Sequence, residues 1–163
     1  RSPSRGLGDV YKRQVVKQVE TLALAAISYK GKMDAIGAVY DRLVQWAAPK
    51  GLINEDTKMV TIYHDSPKTT DSSSLRISAC IVLNKPISVE GEITQKTLES
   101  TKCLVSSLEI TPMQFQQAWE ASFAWMLKNG YQKSTIAPFE IYYNNAQEHP
   151  ENKFIVDLCI PIL

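Results

Sequence analysis

Residues 29–52 read YKGKMDAIGAVYDRLVQWAAPKGL, and this stretch carries the clearest periodic pattern in the chain. Between Asp34 and Ala48, apolar residues recur at the spacing of one helix face, which predicts an amphipathic helix. Pro49 and Gly51 follow at once, and both residue types are typical of a helix end. The predicted apolar face holds Ile36, Val39, Tyr40, Leu43, Trp46 and Ala47.

Several of these residues recur 79 positions later, which indicates an internal duplication. Tyr40 and Trp46 of the predicted helix correspond to Trp119 and Trp125. Because the offset holds from the first helix to the last strand, we expect few insertions and one topology in both halves. The other related pairs are Ile36 and Phe115, Gly51 and Gly130, Ile62 and Ile141, Tyr63 and Tyr142, Cys80 and Cys159, and Ile81 and Ile160.

Each half is predicted to contain a strand, a helix and two further strands, in that order. In the first half these are Glu20–Ser28, the helix Asp34–Ala48, Lys58–His64 and Arg76–Leu83. In the second half these are Thr101–Leu108, a helix that begins at Thr111-Pro112 and ends near Lys128, Phe139–Tyr143 and Phe154–Ile160.

The predicted fold class is therefore α+β, with duplicated βαββ units related by a pseudo-twofold axis. The halves span about residues 16–84 and 96–163, and residues 85–95 are expected to link them. We expect antiparallel sheets, one long helix per half and a ligand cleft where the halves meet.

Composition limits the class of protein. With 44% hydrophobic and 21% charged residues among 163, the chain is predicted to be soluble and globular, with no membrane contact. The three cysteines have no C-x-x-C spacing, which favours a reducing compartment and hence the cytoplasm. Two histidines make a zinc site improbable, and without a glycine-rich phosphate loop no cofactor is expected.

The first 14 residues, RSPSRGLGDVYKRQ, closely resemble translated sequencing-adapter DNA. We therefore interpret residues 1–14 as an artefact or a disordered leader, and residues 15–163 as the domain. Without residues 1–14, 14 basic residues face 16 acidic ones, and the formal charge is −2. Binding of nucleic acid requires a cluster of Lys and Arg, so we expect none from this domain itself.

Two predicted strands place chemically useful side chains on one sheet face. Because side chains alternate along a strand, Glu140 and Tyr142 share a face, as do Thr61 and Tyr63 in the matching strand. A carboxylate among aromatic rings suits an organic cation, and it would suit a general base if burial raised its pKa. Equally, Glu140 could be a solvated residue on an open sheet, and Trp119 could belong only to the core.

No serine or cysteine lies in a recognisable nucleophile motif, so no catalytic residue is assigned.

The chain resembles the GyrI-like small-molecule-binding domain, the effector-binding half of many bacterial AraC-type regulators. Five strings in order carry the resemblance over nearly the whole chain. They are the stretch at Tyr29–Leu52 quoted above, TIYHDSP at Thr61–Pro67, LRISACIVL at Leu75–Leu83, PFEIYYNN at Pro138–Asn145 and IVDLCIPI at Ile155–Ile162.

The resemblance implies a small-molecule effector that binds between the halves. In multidrug-sensing relatives a strand glutamate with aromatic neighbours meets cationic, lipophilic compounds, and Glu140 matches that position. Tyr142 and Tyr63 are implied as ligand contacts, Trp119 as a weaker one, and Thr61 lies on the same face. Family regulators carry helix-turn-helix motifs upstream, so contact with DNA is expected only through a domain absent from this sequence.

Two alternatives stay open. Some stand-alone family members hydrolyse reactive small molecules, which would make Glu140 the base and Tyr142 or Tyr63 a hydrogen-bond donor. A partner protein similar to the gyrase inhibitors of the family is the other alternative. Binding is the first hypothesis, but the sequence does not separate sensing from catalysis, because both use the same acidic aromatic pocket. It also does not determine the ligand or the oligomeric state.

Overall fold

The computed structural model describes residues 11–163 and places eight antiparallel strands in a single sheet. The strands are β1 (Tyr11–Val19), β2 (Leu22–Gly31), β3 (Met59–Tyr63), β4 (Leu75–Val82), β5 (Ile93–Leu98), β6 (Thr101–Ile110), β7 (Phe139–Tyr142) and β8 (Phe154–Pro161). Two long helices, α1 (Ile36–Ala47) and α2 (Phe115–Lys128), lie between β2 and β3 and between β6 and β7. Among the described residues, no helix combines the length and the apolar content that crossing a membrane requires.

The order of the strands is symmetric. It runs β1-β6-β8-β7-β3-β4-β2-β5, and exchanging each strand for its counterpart in the other half gives the same order read backwards. The bounds of β2 and β6, and those of β4 and β8, differ by the 79 positions of the repeat. The α+β prediction of duplicated βαββ units is confirmed, and a pseudo-twofold axis passes between β3 and β7, where the halves join.

Two edge strands, β1 and β5, extend the predicted units. β1 pairs with β6 and β5 pairs with β2, so each half contributes its leading strand to the edge of the other half. The predicted link 85–95 is therefore wrong from Ile93 onwards, and residues 11–14 belong to β1. Edge strands are hard to predict because they carry mostly polar residues, as in the sequence ITQKTL of β5. Residues 1–10, and with them most of the interpreted leader, lie outside the described residues.

The sheet is curled, because a short connection joins β1 at one edge directly to β2 near the other edge. Only residues 20 and 21 separate β1 from β2, so Val19 and Leu22 lie at most about 11 Å apart. In a flat sheet, six strand spacings of about 4.8 Å would separate these two strands by roughly 29 Å. The connection between β1 and β2 contacts the connection between β5 and β6. The Ser100 amide donates a hydrogen bond of 3.1 Å to Oγ1 of Thr21.

Both faces of the curled sheet are packed. α1 lies with β2 and β4 over a cluster that includes Val39, Leu43 and Ile81. α2 covers the equivalent part of the second half, where Ala118 and Met126 are buried. On the opposite face the sheet packs against itself around Phe139, and all three cysteines are free and buried there.

The start of the second helix follows the predicted signal. Thr111 and Gln114 form a capping box, and Pro112 opens a turn of 3₁₀ helix that continues into α2 at Phe115. In the first half, short 3₁₀ turns flank α1, so the predicted helix Asp34–Ala48 is regular only over Ile36–Ala47. Gly51 then adopts a φ of 72°, a left-handed conformation that favours glycine at a helix end. α1 packs over β2 and β4, and α2 packs over β6 and β8.

Candidate functional site

The pseudo-twofold axis passes through a pair of facing residues, Thr61 of β3 and Glu140 of β7. They are partners in the antiparallel register, and they are also equivalent positions of the repeat. Each is approached by the same position of the helix in its own half. Tyr40 of α1 hydrogen bonds with Thr61 at 2.7 Å, and Trp119 of α2 donates to Oε2 of Glu140 at 2.5 Å. The site is thus a duplicated motif with one neutral half and one acidic half.

The Glu140 carboxyl is buried, with 2% of the residue exposed. Besides the Trp119 indole, the Tyr142 hydroxyl hydrogen bonds with Oε1, and Tyr63 also bonds to this carboxyl. These partners, drawn from the described residues, are all uncharged side chains. Burial raises the pKa of Glu140 above its usual range, and the hydrogen bonds from Tyr142, Trp119 and Tyr63 act against that rise.

A chain of hydroxyl groups continues from Glu140 across the axis. Tyr142 lies 2.8 Å from Oγ1 of Thr61, and Thr61 lies 2.7 Å from the Tyr40 hydroxyl. Tyr40 in turn donates a hydrogen bond of 2.7 Å to the carbonyl oxygen of Val60. Burial raises the pKa of both tyrosines well above the usual value, so both phenols keep their hydrogens.

Aromatic rings surround this polar centre. The Tyr63 ring meets Trp119 edge to face, with ring centroids 6.0 Å apart, and Tyr142 meets Tyr40 in the same way at 6.3 Å. Further rings extend the wall, namely Phe115, Phe123 and Phe154. A flat or aryl-substituted organic molecule would find π faces on several sides of the carboxyl.

The structure brings the five predicted site residues together on the helix side of the sheet. Glu140, Tyr142, Tyr63, Trp119 and Thr61 form one contact network. The alternative of a solvated Glu140 on an open face is wrong, because Glu140 is 2% exposed and Trp119 of α2 bonds to its carboxyl. The prediction that these residues contact a ligand remains a prediction.

Sequence reasoning missed Tyr40, which belongs to the same network. The signal was present in the repeat, because Tyr40 is the counterpart of Trp119. The periodic pattern indicated only that Tyr40 faces the core. Its hydroxyl bonds with Thr61 and Val60 could not be foreseen, because they depend on how α1 crosses β3.

The centre of the site is closed. Thr61 is 1% exposed and Glu140 2% exposed, whereas Trp119, Tyr63 and Tyr142 are half-buried around them. One surface cavity lies beside Lys58 and Tyr143 and another lies along residues 86–89, and Glu140 lines neither of these two. A ligand that reaches Glu140 must therefore displace part of the aromatic wall.

A buried carboxyl in an aromatic setting, at the junction of two similar halves, is the kind of setting in which proteins hold small organic molecules. The chain belongs to the GyrI-like small molecule binding domain family, because the family model matches residues 15–163. The resemblance drawn from the sequence motifs is confirmed, and the domain is a small-molecule binding domain of that family.

Two structures of EcmrR are similar in fold. The EcmrR C-terminal domain has 14% sequence identity and a TM-score of 0.72, and the match covers 94% of this chain and 98% of that one. EcmrR in a complex with DNA has 14% identity and a TM-score of 0.78, with coverage of 94% of this chain and 57% of that one. The chain described here thus spans little more than half of that EcmrR chain.

Two further structures share the fold. SAV2435 bound to tetraphenylphosphonium has 16% identity and a TM-score of 0.63, and the match covers 93% of this chain and 94% of that one. A hydrolase encoded by lin2189 from Listeria innocua has 10% identity and a TM-score of 0.63, with coverage of 98% and 96%. Identities this low establish similarity of fold alone. The comparison with curated proteins gave no match.

Proposed function

We propose that the domain binds a lipophilic organic cation at Glu140, between α1 and α2, as the effector-sensing part of a bacterial transcription regulator. One observation carries this proposal: a buried carboxyl whose described partners are all neutral, enclosed by aromatic rings. A cation supplies the counter-charge that the ionised carboxylate requires, and the rings attract the cation by about 0.5–2 kcal/mol each through cation–π contacts.

The closed site gives binding a structural consequence. The Trp119 indole occupies one oxygen of Glu140, so a cation that approaches from the helix side has to displace Trp119 or the helix that carries it. Because α1 and α2 belong to different halves, a displacement that moves α2 changes how the halves are arranged. A ligand that binds the open arrangement more tightly shifts the population towards it, which is the requirement for an effector.

Similarity to EcmrR supports the regulatory role. The EcmrR C-terminal domain has this fold, and EcmrR as a whole binds DNA. We propose that this protein also has a DNA-binding domain, of the AraC type that the sequence resemblance implies, and that ligand binding in the domain described here controls it. The three free, buried cysteines are compatible with the reducing cytoplasm, where such a regulator acts.

Tetraphenylphosphonium is a suitable first probe, because it is a lipophilic cation and a protein of this fold has been solved with it. We would measure thermal unfolding and calorimetric binding for the wild type, for Glu140→Gln and for Glu151→Gln, a control at an exposed glutamate. Triphenylphosphine oxide, which is aromatic but uncharged, serves as the control compound.

We expect the cation to stabilise the wild type and Glu151→Gln, by about 2.7 kcal/mol at one hundred times the dissociation constant. Glu140→Gln should lose most of that stabilisation, because it retains the shape of the side chain without the charge. Equal binding by wild type and Glu140→Gln would contradict a charge-anchored site. Equal stabilisation by the neutral compound would indicate a purely apolar site.

The same geometry supports a second candidate, hydrolysis of a reactive small molecule. Glu140 has a raised pKa, and a hydroxyl group lies against one of its oxygens, an arrangement suited to a general base that activates water once the carboxyl is ionised. A compound that binds at Glu140 and is recovered unchanged after long incubation with the wild type would count against this candidate. Product formation that Glu140→Gln abolishes would favour it over sensing.

A further inference from the structure

The Thr61 hydroxyl lies between two phenol groups. Its Oγ1 is 2.8 Å from the Tyr142 oxygen and 2.7 Å from the Tyr40 oxygen. Both distances are those of hydrogen bonds between oxygen atoms, so each contact requires one hydrogen. Thr61 is 1% exposed, and the two tyrosines on either side of it are half-buried.

If Glu140 is ionised, only one hydrogen is available for the two contacts of Thr61. Tyr142 then donates its only hydrogen to Oε1 of Glu140, and Tyr40 donates its only hydrogen to the Val60 carbonyl. Thr61 has one hydrogen for two phenol oxygens. One of the two short contacts of Thr61 therefore has no hydrogen between its oxygen atoms, and these two oxygen atoms repel each other.

With a protonated Glu140, the count is complete. The carboxylic acid donates to Tyr142, Tyr142 donates to Thr61, Thr61 donates to Tyr40, and Tyr40 donates to the Val60 carbonyl. Four hydrogens then serve four contacts in one direction, from the second half of the protein across the axis to the first.

We propose that the hydroxyl chain Tyr142–Thr61–Tyr40 holds Glu140 in its neutral, protonated form in the ligand-free protein, and that a cationic ligand binds in exchange for that proton. The exchange rests on the proposed function, because it requires a cation at Glu140. The exchange adds a stoichiometry, because one proton is released for each cation bound. It also assigns Thr61 and Tyr40 a positioning role, because their hydroxyl groups help to hold the proton on Glu140.

The surroundings of Glu140 support a neutral resting state. Four titratable groups interact electrostatically with Glu140. They are Tyr142 on its own strand, Tyr63 on β3, Tyr40 on α1 and Cys159 on β8. Burial raises the pKa of each of them, so each is neutral too, and Trp119 on α2 is an uncharged donor. Burial raises the pKa of Glu140 itself in the same direction.

The ligand-free protein provides the first test. Infrared spectroscopy distinguishes the carbonyl stretch of a carboxylic acid from the bands of carboxylates. At about pH 6, well above the ordinary glutamate pKa of about 4.3, we expect a carboxylic acid band in the wild type that Glu140→Gln lacks. Identical spectra for the two folded proteins at that pH would overturn the proposal, whatever the domain binds.

Thr61→Val tests the role of the chain, because valine keeps the shape and removes the bridging hydroxyl. A protonated Glu140 would then leave the Tyr142 hydrogen without its acceptor, so the acid band should disappear at a lower pH than in the wild type. Ser122→Ala is the matched control, since Ser122 is a buried hydroxyl of α2 that bonds with Ser106 instead. An unchanged titration of Glu140 in Thr61→Val would show that the chain does not hold the proton.

Calorimetry with tetraphenylphosphonium in buffers of different ionisation enthalpy measures the exchange itself. Below the pKa of Glu140, we expect close to one proton released per cation and an affinity that rises about tenfold per pH unit. Binding without proton release would overturn the exchange and leave the proposed function standing. If the infrared band is present and no cation binds, then the proposed function fails, together with the exchange that rests on it.

Discussion

Thr61 and Glu140 are one position of a duplicated unit, and they face each other directly across β3 and β7. A symmetric site would hold two identical side chains there. This site holds a hydroxyl and a carboxyl, with Tyr40 and Trp119 as their respective helix partners. The difference between the halves gives the site its single ionisable acid and the direction of its hydroxyl chain.

Tyr40→Phe should destabilise the protein, because it removes the bonds to Thr61 and to the Val60 carbonyl. We expect the free energy of unfolding to fall by about 1–2 kcal/mol, measured by urea denaturation. Tyr131→Phe is the control, since its ring stacks on Trp125 and its hydroxyl forms no hydrogen bond among the described residues. Equal losses in both variants would mean that the Tyr40 hydroxyl contributes nothing specific.

Trp119→Phe should raise the pKa of Glu140 further. Phenylalanine retains an aromatic ring and removes the indole N–H that donates to Oε2 of Glu140. Since that bond stabilises the ionised carboxylate, its loss favours the protonated acid. Infrared titration of the acid band should show the shift to higher pH, and a shift to lower pH would contradict this assignment of the donor.

Glu140→Gln should change how stability depends on pH. The pKa of Glu140 is raised in the folded protein, so the folded state binds a proton more tightly than the unfolded chain does. Its contribution is complete below the unfolded pKa and declines as the pH rises from that value towards the folded pKa, by at most about 1.4 kcal/mol per unit.

Glutamine has no such dependence. The stability of Glu140→Gln relative to the wild type should therefore increase with pH across that window, as measured by urea unfolding at several pH values. A difference that is constant with pH would mean that the folded state does not raise the pKa of Glu140.

The three cysteines should be inert in the native protein. Burial raises the pKa of Cys80 and of Cys103 to about 12, and it raises that of Cys159 well above the usual value. Since the thiolate is the reactive form, a thiol reagent should label them only after denaturation. Ser72→Cys, in the exposed loop before β4, supplies a positive control that should react at once. Rapid native labelling of the wild type would contradict the packing of the sheet against itself.

Local patterns in the sequence were sufficient for most elements. The apolar stripe around Leu43 predicted α1, and the Thr111–Gln114 signal predicted the start of α2, because capping and amphipathic spacing act within a few residues. Strand alternation correctly placed Glu140 and Tyr142 on one face. β1 and β5 were missed because polar edge strands are defined by their partners in the other half.

The sequence by itself determined the duplicated α+β topology, the family and the set of side chains that face the helices. Only the tertiary structure decided that the sheet curls, that α1 and α2 close over the axis, and that Glu140 is buried among neutral donors. The physical reason is how far apart along the chain the interacting residues lie. Periodicity and capping act between residues a few positions apart, whereas the state of the Glu140 carboxyl depends on Trp119, Tyr63 and Tyr40, which only packing brings beside it.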